Sequence, residues 1–243
     1  MYGIWERTGS FPYATNGKQE THCINRKDLH HMIEDKKRFK EYEAAVDARL
    51  SGKRLKHVHS VSDYAAQVAR AYGVNEYDAR VAGLLHDWDK LYTDEELPAR
   101  MEELGVEPPQ DVELMWPVIH SFTGAKAVER EFPELEPQII SAIWNHTLGA
   151  VEMSDLDMVI FVADMIEPLR KSYGRPYAAE LRTKVGEISL DELYFEAYKE
   201  TMISLCERKR YIHPLAFNIW NGLVLKHNPN PGKRGQGNPN AVL

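Results

Sequence analysis

Four histidines in this sequence lie within or beside apolar helical patterns, and two aspartates accompany them. One histidine and one aspartate are adjacent in the segment AGLLHDWDK, residues 82–90. A single histidine on an apolar face is more often a hydrogen-bonded core residue than a metal ligand. Four such histidines together with two aspartates favour a metal site instead. They are His57, His86, Asp87, His120, His146 and Asp164.

The ligand types in this set indicate which metals could bind. Imidazole and carboxylate together suit iron, manganese, zinc, nickel or cobalt, while the lack of clustered cysteines disfavours a thiolate site. Six ligands exceed what one zinc ion ordinarily takes from a protein. Since a carboxylate can bridge two ions, Asp87 could contact both metals of a binuclear centre while His86 binds one. In a simpler alternative, His86 caps a helix and Asp87 is solvated.

The adjacency of His86 and Asp87 places a geometric condition on such a site. Successive helical residues diverge by roughly 100°, so the two side chains can meet at one metal only near a helix end. Asn75 is a plausible N-cap, and the helix is expected to end just after Lys90. Its apolar stripe has helical spacing and consists of Val81, Leu84, Leu85 and Trp88.

The elements that must position these residues are predicted to be almost all α-helices. Apolar residues recur at three- and four-residue steps, and Gly and Pro separate the segments. The β-branched run MVIFVAD, residues 158–164, could be a buried strand, but the wider apolar window favours a helix. Helices are expected from Asp28 to Leu50, at 57–72 and after Asn75, then around 94–104, 111–131, 134–146, 155–171, 176–186 and 190–210.

Composition and charge restrict the classes of function. The chain is 43% hydrophobic and 28% charged, and no apolar run approaches the ~20 residues of a membrane-spanning helix. Its first residues resemble neither a signal nor a transit peptide, so a cytoplasmic protein without a membrane partner is expected. The net charge of -7 disfavours long nucleic acids and fits a small anionic ligand better. Cys23 and Cys206 are expected to be free thiols.

Five sequence elements in order carry a resemblance to a known family. KRLKH ends at His57, AGLLHDWDK contains the HD pair, IHSFTGA contains His120, AIWNHTLGAVEM contains His146 and VADMIEPLR contains Asp164. An HD dipeptide alone is a weak signal, whereas the ordered series is specific. From about residue 54 to 223, the chain resembles the HD-domain metal-dependent phosphohydrolases, and within them the YqeK-type symmetrical diadenosine tetraphosphate hydrolases.

This resemblance implies an all-α HD-domain helical bundle that holds two metal ions. Iron is the metal it suggests, with manganese, cobalt or nickel as substitutes. It implies a bridging hydroxide that attacks diadenosine tetraphosphate (Ap4A) and releases two ADP. This hydroxide would come from a water whose pKa the metals lower to roughly 7. The first metal would be held by His57, His86, Asp87 and Asp164, and the second by Asp87, His120 and His146.

Residues beside the metals are expected to have catalytic and substrate-binding roles, and for Lys90 the resemblance implies one. Asp87 and Lys90 are the expected catalytic residues, and Lys90 would also contact a phosphate or the leaving group. Alternatively, Lys90 is an exposed cation at a helix C-terminus. Arg170 either binds phosphate bidentately or pairs with Glu167. Thr147 is expected to contact substrate, or simply to belong to a helix end.

The sequence departs from the family pattern at two places. Asp89 replaces a small residue; it could tune the metals or face solvent, and we expect solvent. The N-terminal residues 1–45 lie outside the resemblance and are predicted to form a partly helical extension of unknown role. The HD domain is then expected over 46–225, followed by a disordered Pro-, Gly- and Asn-rich tail over 226–243.

Two other functions remain open at this point. The first is another HD-domain nucleotide phosphohydrolase, such as a 5'-nucleotidase, which would use the same metal chemistry. The second is a nucleotide-sensing, metal-binding module without turnover. A nucleotide or dinucleoside polyphosphate is the expected partner, and a homodimer stays open.

Overall fold

The computed structural model describes residues 26–170, 176–228 and 230–232. Over these residues it contains α-helices, one short 3₁₀ helix at Val112–Leu114, and no strand. The all-α prediction is therefore confirmed. The helices are α1 (Arg26–Arg49), α2 (Gly52–Tyr72), α3 (Glu76–Leu85), α4 (Leu97–Leu104), α5 (Trp116–Glu131), α6 (Pro137–Asn145), α7 (Asp155–Ile166), α8 (Pro176–Lys184), α9 (Leu190–Glu207) and α10 (Pro214–His227).

The chain divides into two units, Met1–Lys40 and Glu41–Leu243. The described part of the first unit is the beginning of α1, and the second unit contains the end of α1 and all later helices. The predicted division at residue 45 falls inside α1 and stays a prediction. Most of the predicted tail lies outside the described residues, although α10 continues to His227.

Helix α7 is the centre of the second unit. It contacts α2, α3, α6, α8 and α9, so apolar side chains are required on nearly every side of it. Val159, Ile160, Val162 and Ile166 are all fully buried. This surrounding explains why MVIFVAD is an unbroken apolar run, and the helical interpretation of that run is confirmed.

Local signals in the sequence set the start of α3 and the turn before it. Gly73 ends α2 in the left-handed region at φ 71°, a conformation that favours glycine. The side chain of Asn75 then accepts hydrogen bonds from the backbone N–H groups of Tyr77 and Asp78. Because the turn is short, α3 folds back along α2 and brings its C-terminal end towards α2.

A glycine allows this close approach of α2 and α3. A Cβ atom on Gly83 would lie 3.0 Å from the Cα of Ser62 and 3.1 Å from the carbonyl oxygen of Val61. Both are backbone atoms of buried residues of α2 and have little freedom to move. Gly83 therefore fixes the distance between the helices that carry His57 and His86. None of the described helices combines the length and hydropathy needed to cross a lipid bilayer.

Substituting Gly83→Ala should lower the free energy of unfolding by about 1–3 kcal/mol, because the added methyl group overpacks the contact between α2 and α3. Denaturant unfolding measures this loss. Gly222→Ala is the matched control, since a Cβ there meets no atom within 4 Å and alanine favours a helix. Equal stability of the two variants would contradict the packing role of Gly83.

Candidate metal centre

The six predicted ligands come from five helices and meet at one buried place. His57 lies on α2 and Asp164 on α7, while His120 lies on α5. His86 and His146 cap the C-terminal ends of α3 and α6, and Asp87 follows His86 in the next turn. The short helices α3 and α6 thus end where the long helices pass.

Asp87 lies between two pairs of histidines. Its Oδ2 atom is 3.4 Å from Nε2 of His86 and 3.7 Å from Nε2 of His57. Its Oδ1 atom is 3.1 Å from Nε2 of His120 and 3.9 Å from Nε2 of His146. One carboxylate therefore presents a different oxygen to each pair, which is the geometry that a bridging ligand needs.

Asp164 completes the first group of ligands. Its Oδ1 atom is 2.9 Å from Nε2 of His57 and 3.6 Å from Nε2 of His86. These three residues have ligand atoms within 4.8 Å of one another, and so do His86, Asp87 and His146. In the second cluster His86 takes the place that the sequence prediction gave to His120. His120 nevertheless lies at the same centre, with its Nε2 atom 3.2 Å from that of His146.

The rings of His86 and His146 are each fixed by a backbone carbonyl at Nδ1, so that Nε2 faces the centre. Nδ1 of His86 is 2.7 Å from the carbonyl oxygen of Gly83, and Nδ1 of His146 is 2.6 Å from that of Ile143. A carbonyl that accepts the Nδ1 proton fixes the ring so that the other nitrogen, Nε2, is the one available to a metal once it is unprotonated. Among the described residues, the buried Nε2 of His86 has no hydrogen-bond partner. Such a donor set fits a cation.

Glu167 orients the third imidazole, and sequence reasoning missed this role. Its Oε1 atom is 3.1 Å from Nδ1 of His57, which is the usual arrangement of a carboxylate behind a metal-binding histidine. Glu167 in turn accepts hydrogen bonds from the hydroxyl of Ser60 and the backbone N–H of Leu169, each at 2.5 Å. Its position three residues after Asp164, directly after the end of α7, was the available signal.

The centre keeps its carboxylates ionised. Burial alone would raise the pKa of Asp87, but His86 and His120 hold it well below its usual range. The pKa of Asp164 is also well below its usual range, since Arg170 and His57 outweigh the effect of burial. At neutral pH both groups are therefore anions, with Asp87 buried and Asp164 partly exposed. A metal cation would neutralise them.

The histidines of the centre differ in pKa. Burial would lower the pKa of His86, but Asp87 and Asp164 outweigh burial and raise it to about 10. Burial, together with His86 and His120, lowers the pKa of His146 to about 3. His146 is therefore neutral and ready to ligate, while His86 must lose a proton when a metal binds.

Lys90 lies at the centre and is not an exposed end of a helix. Its Nζ atom donates a hydrogen bond to the carbonyl of Pro117 at 2.8 Å and lies 3.0 Å from Nδ1 of His120. Burial lowers the pKa of the ammonium group. The structure thus places this cation beside the second pair of histidines.

Two arginines contact the carboxylates of the centre. Nη2 of Arg170 is 2.5 Å from Oδ1 of Asp164, so Arg170 forms its ion pair there and not with Glu167. Arg54 pairs with Oδ2 of Asp87. Sequence reasoning missed Arg54, although it lies three residues before His57 and so on the same face of α2.

The expectation that Asp89 faces solvent is wrong. Its side chain is fully buried between two arginines, with Oδ1 2.8 Å from Nη2 of Arg49 and Oδ2 2.9 Å from Nε of Arg100. Arg49 also donates a hydrogen bond to the carbonyl of Trp88 at 2.8 Å. Sequence spacing does not reveal partners 40 residues away. Asp89 anchors the turn that holds Asp87 and Lys90.

Thr147 lies beside the second pair of histidines and lines a cavity of 650 Å³. Its Oγ1 atom is 2.9 Å from Oγ of Ser121, so its hydroxyl is held in place by α5. The same cavity is lined by Pro117, whose carbonyl accepts from Lys90. The cavity therefore adjoins the centre.

Comparison with known proteins places this centre in a family. The HD domain family matches residues 54–169. The symmetrical bis(5'-nucleosyl)-tetraphosphatase of Bacillus subtilis is 30% identical over 190 residues, which are 74% of this chain and 95% of that protein. The chain belongs to the YqeK-type family of HD-domain hydrolases. It is accordingly a metal-dependent hydrolase, as the family resemblance implied.

Two further relatives agree with this family assignment. A protein of the same name from Halalkalibacterium halodurans is 28% identical over 182 residues, covering 74% of this chain and 94% of that protein. The crystal structure of a Clostridium acetobutylicum protein, described as a predicted HD superfamily hydrolase involved in NAD metabolism, matches with a TM-score of 0.70 at 26% identity. The match covers 77% of this chain and 97% of the other.

Substituting Asp89→Asn should lower the free energy of unfolding by about 3 kcal/mol, because it leaves two arginines facing a buried neutral group. Denaturant unfolding measures this. The control is Glu103→Gln, which removes the other, exposed partner of Arg100 and should cost less than about 1 kcal/mol. If both variants are equally stable, Asp89 is not the anchor of the turn.

Substituting Glu167→Gln should weaken metal binding by about 10- to 100-fold, because His57 loses the carboxylate that orients it. Metal content after dialysis against a graded chelator measures the effect. Glu129→Gln, on the exposed face of α5, is the control. Full retention of metal by Glu167→Gln would show that Glu167 serves packing only.

Proposed function

We propose that this chain hydrolyses Ap4A symmetrically to two ADP with a pair of bound metal ions. The observation that carries the proposal is the placement of Asp87, whose two oxygens face different pairs of histidines. The names of the relatives support the substrate class. The metals are proposed to be iron, with manganese, cobalt or nickel as substitutes. We assign His57, His86, Asp87 and Asp164 to one ion, and Asp87, His120 and His146 to the other.

The bound metals would supply an acidified water as nucleophile and neutralise charge on the phosphate oxygens. The chain's own residues then have to hold the reacting phosphates against that centre. Arg54 and Arg170 are placed for this task, since each guanidinium lies against a carboxylate of the ligand set. A cation that takes over the carboxylate would leave the arginine free to pair with a phosphate, for which its planar fork is suited.

Lys90 is proposed to stabilise the developing negative charge on the leaving diphosphate. Its ammonium is fixed by the carbonyl of Pro117 and points towards His120. A cation held in a partly buried place costs no rearrangement when charge develops on the substrate. Asp87 and Lys90 are thus the proposed catalytic residues.

The 650 Å³ cavity beside Thr147 has the size and chemistry for a nucleotide arm. Its volume falls within the ordinary range of ligand sites, about 300–1,000 Å³. The aromatic residues Trp116 and Tyr211 line it, as does the basic side chain of Arg208. Aromatic faces stack on bases, and the guanidinium can pair with phosphate. We propose that Thr147 contacts the phosphates where this cavity meets the centre.

Product analysis separates this function from its two alternatives. Metal-loaded protein incubated with Ap4A should release ADP as the sole nucleotide product, and chromatography of the reaction mixture measures this. Asp87→Asn should abolish turnover because it weakens the ligand shared by both metal groups. Thr183→Val, on the surface of α8, serves as the control that retains activity.

Three other outcomes of this product analysis would contradict the proposal. Release of AMP and ATP would show asymmetric cleavage. Rapid hydrolysis of AMP with no cleavage of Ap4A would favour a 5'-nucleotidase. Stoichiometric metal without turnover of any nucleotide would favour a sensing module.

A further inference from the structure

A second cavity, of 370 Å³, adjoins the first group of candidate ligands, and the function proposed above uses only two of its residues, Arg54 and Arg170. Its wall includes His57 of the centre and four cationic side chains. These are Lys53, Arg54, Lys56 and Arg170. The larger cavity, by contrast, begins at Thr147, next to His146.

The protein neutralises only part of the charge of this cavity, since Arg54 pairs with Asp87 and Arg170 with Asp164, whereas the two lysines have no such partner among the described residues. Its one carboxylate, Glu167, is already engaged with His57 and Ser60. Lys53 and Lys56 are exposed and form no ion pair with any residue of the described ranges. Most lysines of the later helices behave differently; Lys126, Lys184, Lys199 and Lys226 each pair with a carboxylate.

Arg170 supplies a further donor at this cavity. Its Nε atom is buried and has no hydrogen-bond partner among the described residues, although Nη2 pairs with Asp164. A buried guanidinium N–H without an acceptor is unfavourable. An anion in the cavity would satisfy it.

The cationic residues in the first turn of α2 are unfavourable for the helix unless an anion binds there. The first turn of a helix favours acidic residues, since the backbone N–H groups there carry partial positive charge. In α2 that turn has no acidic residue and contains Lys53 and Arg54, and Ser51 provides no side-chain cap. Locally unfavourable choices of this kind tend to occur at functional sites.

The positions of the two cavities bear on where a polyphosphate chain is cut. Their linings share no residue. One adjoins His57 and the other adjoins His146, and Asp87 lies between these histidines. A polyphosphate that crosses the centre would therefore extend into both cavities, and the bond at the metals would be a central one.

We propose that the 370 Å³ cavity binds the second nucleoside diphosphate arm of the substrate. This inference rests on the proposed function. Lys53 and Lys56 bind the outer phosphate, Arg54 and Arg170 bind the phosphate nearer the metals, and Leu169, half exposed at the rim, contacts the nucleoside. Occupation of both cavities centres the chain and makes the cleavage symmetrical.

Titration calorimetry with ADP on the metal-loaded protein tests this assignment without requiring turnover. The wild type should bind two ADP per chain, one in each cavity. The variant Lys53→Gln/Lys56→Gln should bind one ADP as the wild type does and the other about tenfold more weakly, while the control Lys126→Gln, which changes a distant lysine, should keep both affinities. One ADP per wild-type chain, or unchanged affinity at both sites of the double variant, would overturn the proposal. The single variants Lys53→Gln and Lys56→Gln should each weaken the second site about threefold.

Kinetics with Ap4A distinguishes failure of this inference from failure of the proposed function. The double variant should raise KM about tenfold, since two ionic contacts are lost, and leave kcat within about twofold because neither lysine touches the reacting centre. An unchanged KM with ADP as product would overturn this assignment alone. Two bound ADP without Ap4A hydrolysis would overturn the proposed function and retain the second cavity as a nucleotide site.

Discussion

The rest of the structure depends on one buried carboxylate that is shared by four imidazoles. Asp87 can lie between two pairs of histidines only if α2, α5 and the ends of α3 and α6 converge on one point. Two anions and four histidines in an apolar bundle are costly unless opposite charge accompanies them. In the described residues, Arg54 and Arg170 provide part of that charge. The same requirement makes the site suited to metal cations.

The structure meets this requirement with contacts that lie outside the ligand set. Glu167 holds His57, Pro117 holds Lys90, and Asp89 ties the turn after α3 to arginines of α1 and α4. Gly83 sets the spacing of α2 and α3. Each contact restrains a functional group through a neighbour, so the geometry of the centre depends on residues that touch no substrate.

The sequence predicted the helices and the convergence of the ligands well, and it predicted the supporting contacts poorly. Helical periodicity and the ordered His and Asp motifs are local patterns, so they can be recognised without coordinates. The burial of Asp89 and the pairing of Arg54 with Asp87 depend on which helices become neighbours, and periodicity does not contain that information. Glu167 was noticed only as a partner of Arg170, because a short spacing suggests the nearest pairing.

Two of the histidines are oriented by the ends of their own helices. His86 and His146 each end a short helix, and each ring is fixed by the carbonyl three residues earlier in its own chain. The direction of Nε2 is therefore set within four consecutive residues, GLLH in one case and IWNH in the other. The packing of the bundle then has to bring two already oriented rings together, and does not have to orient them.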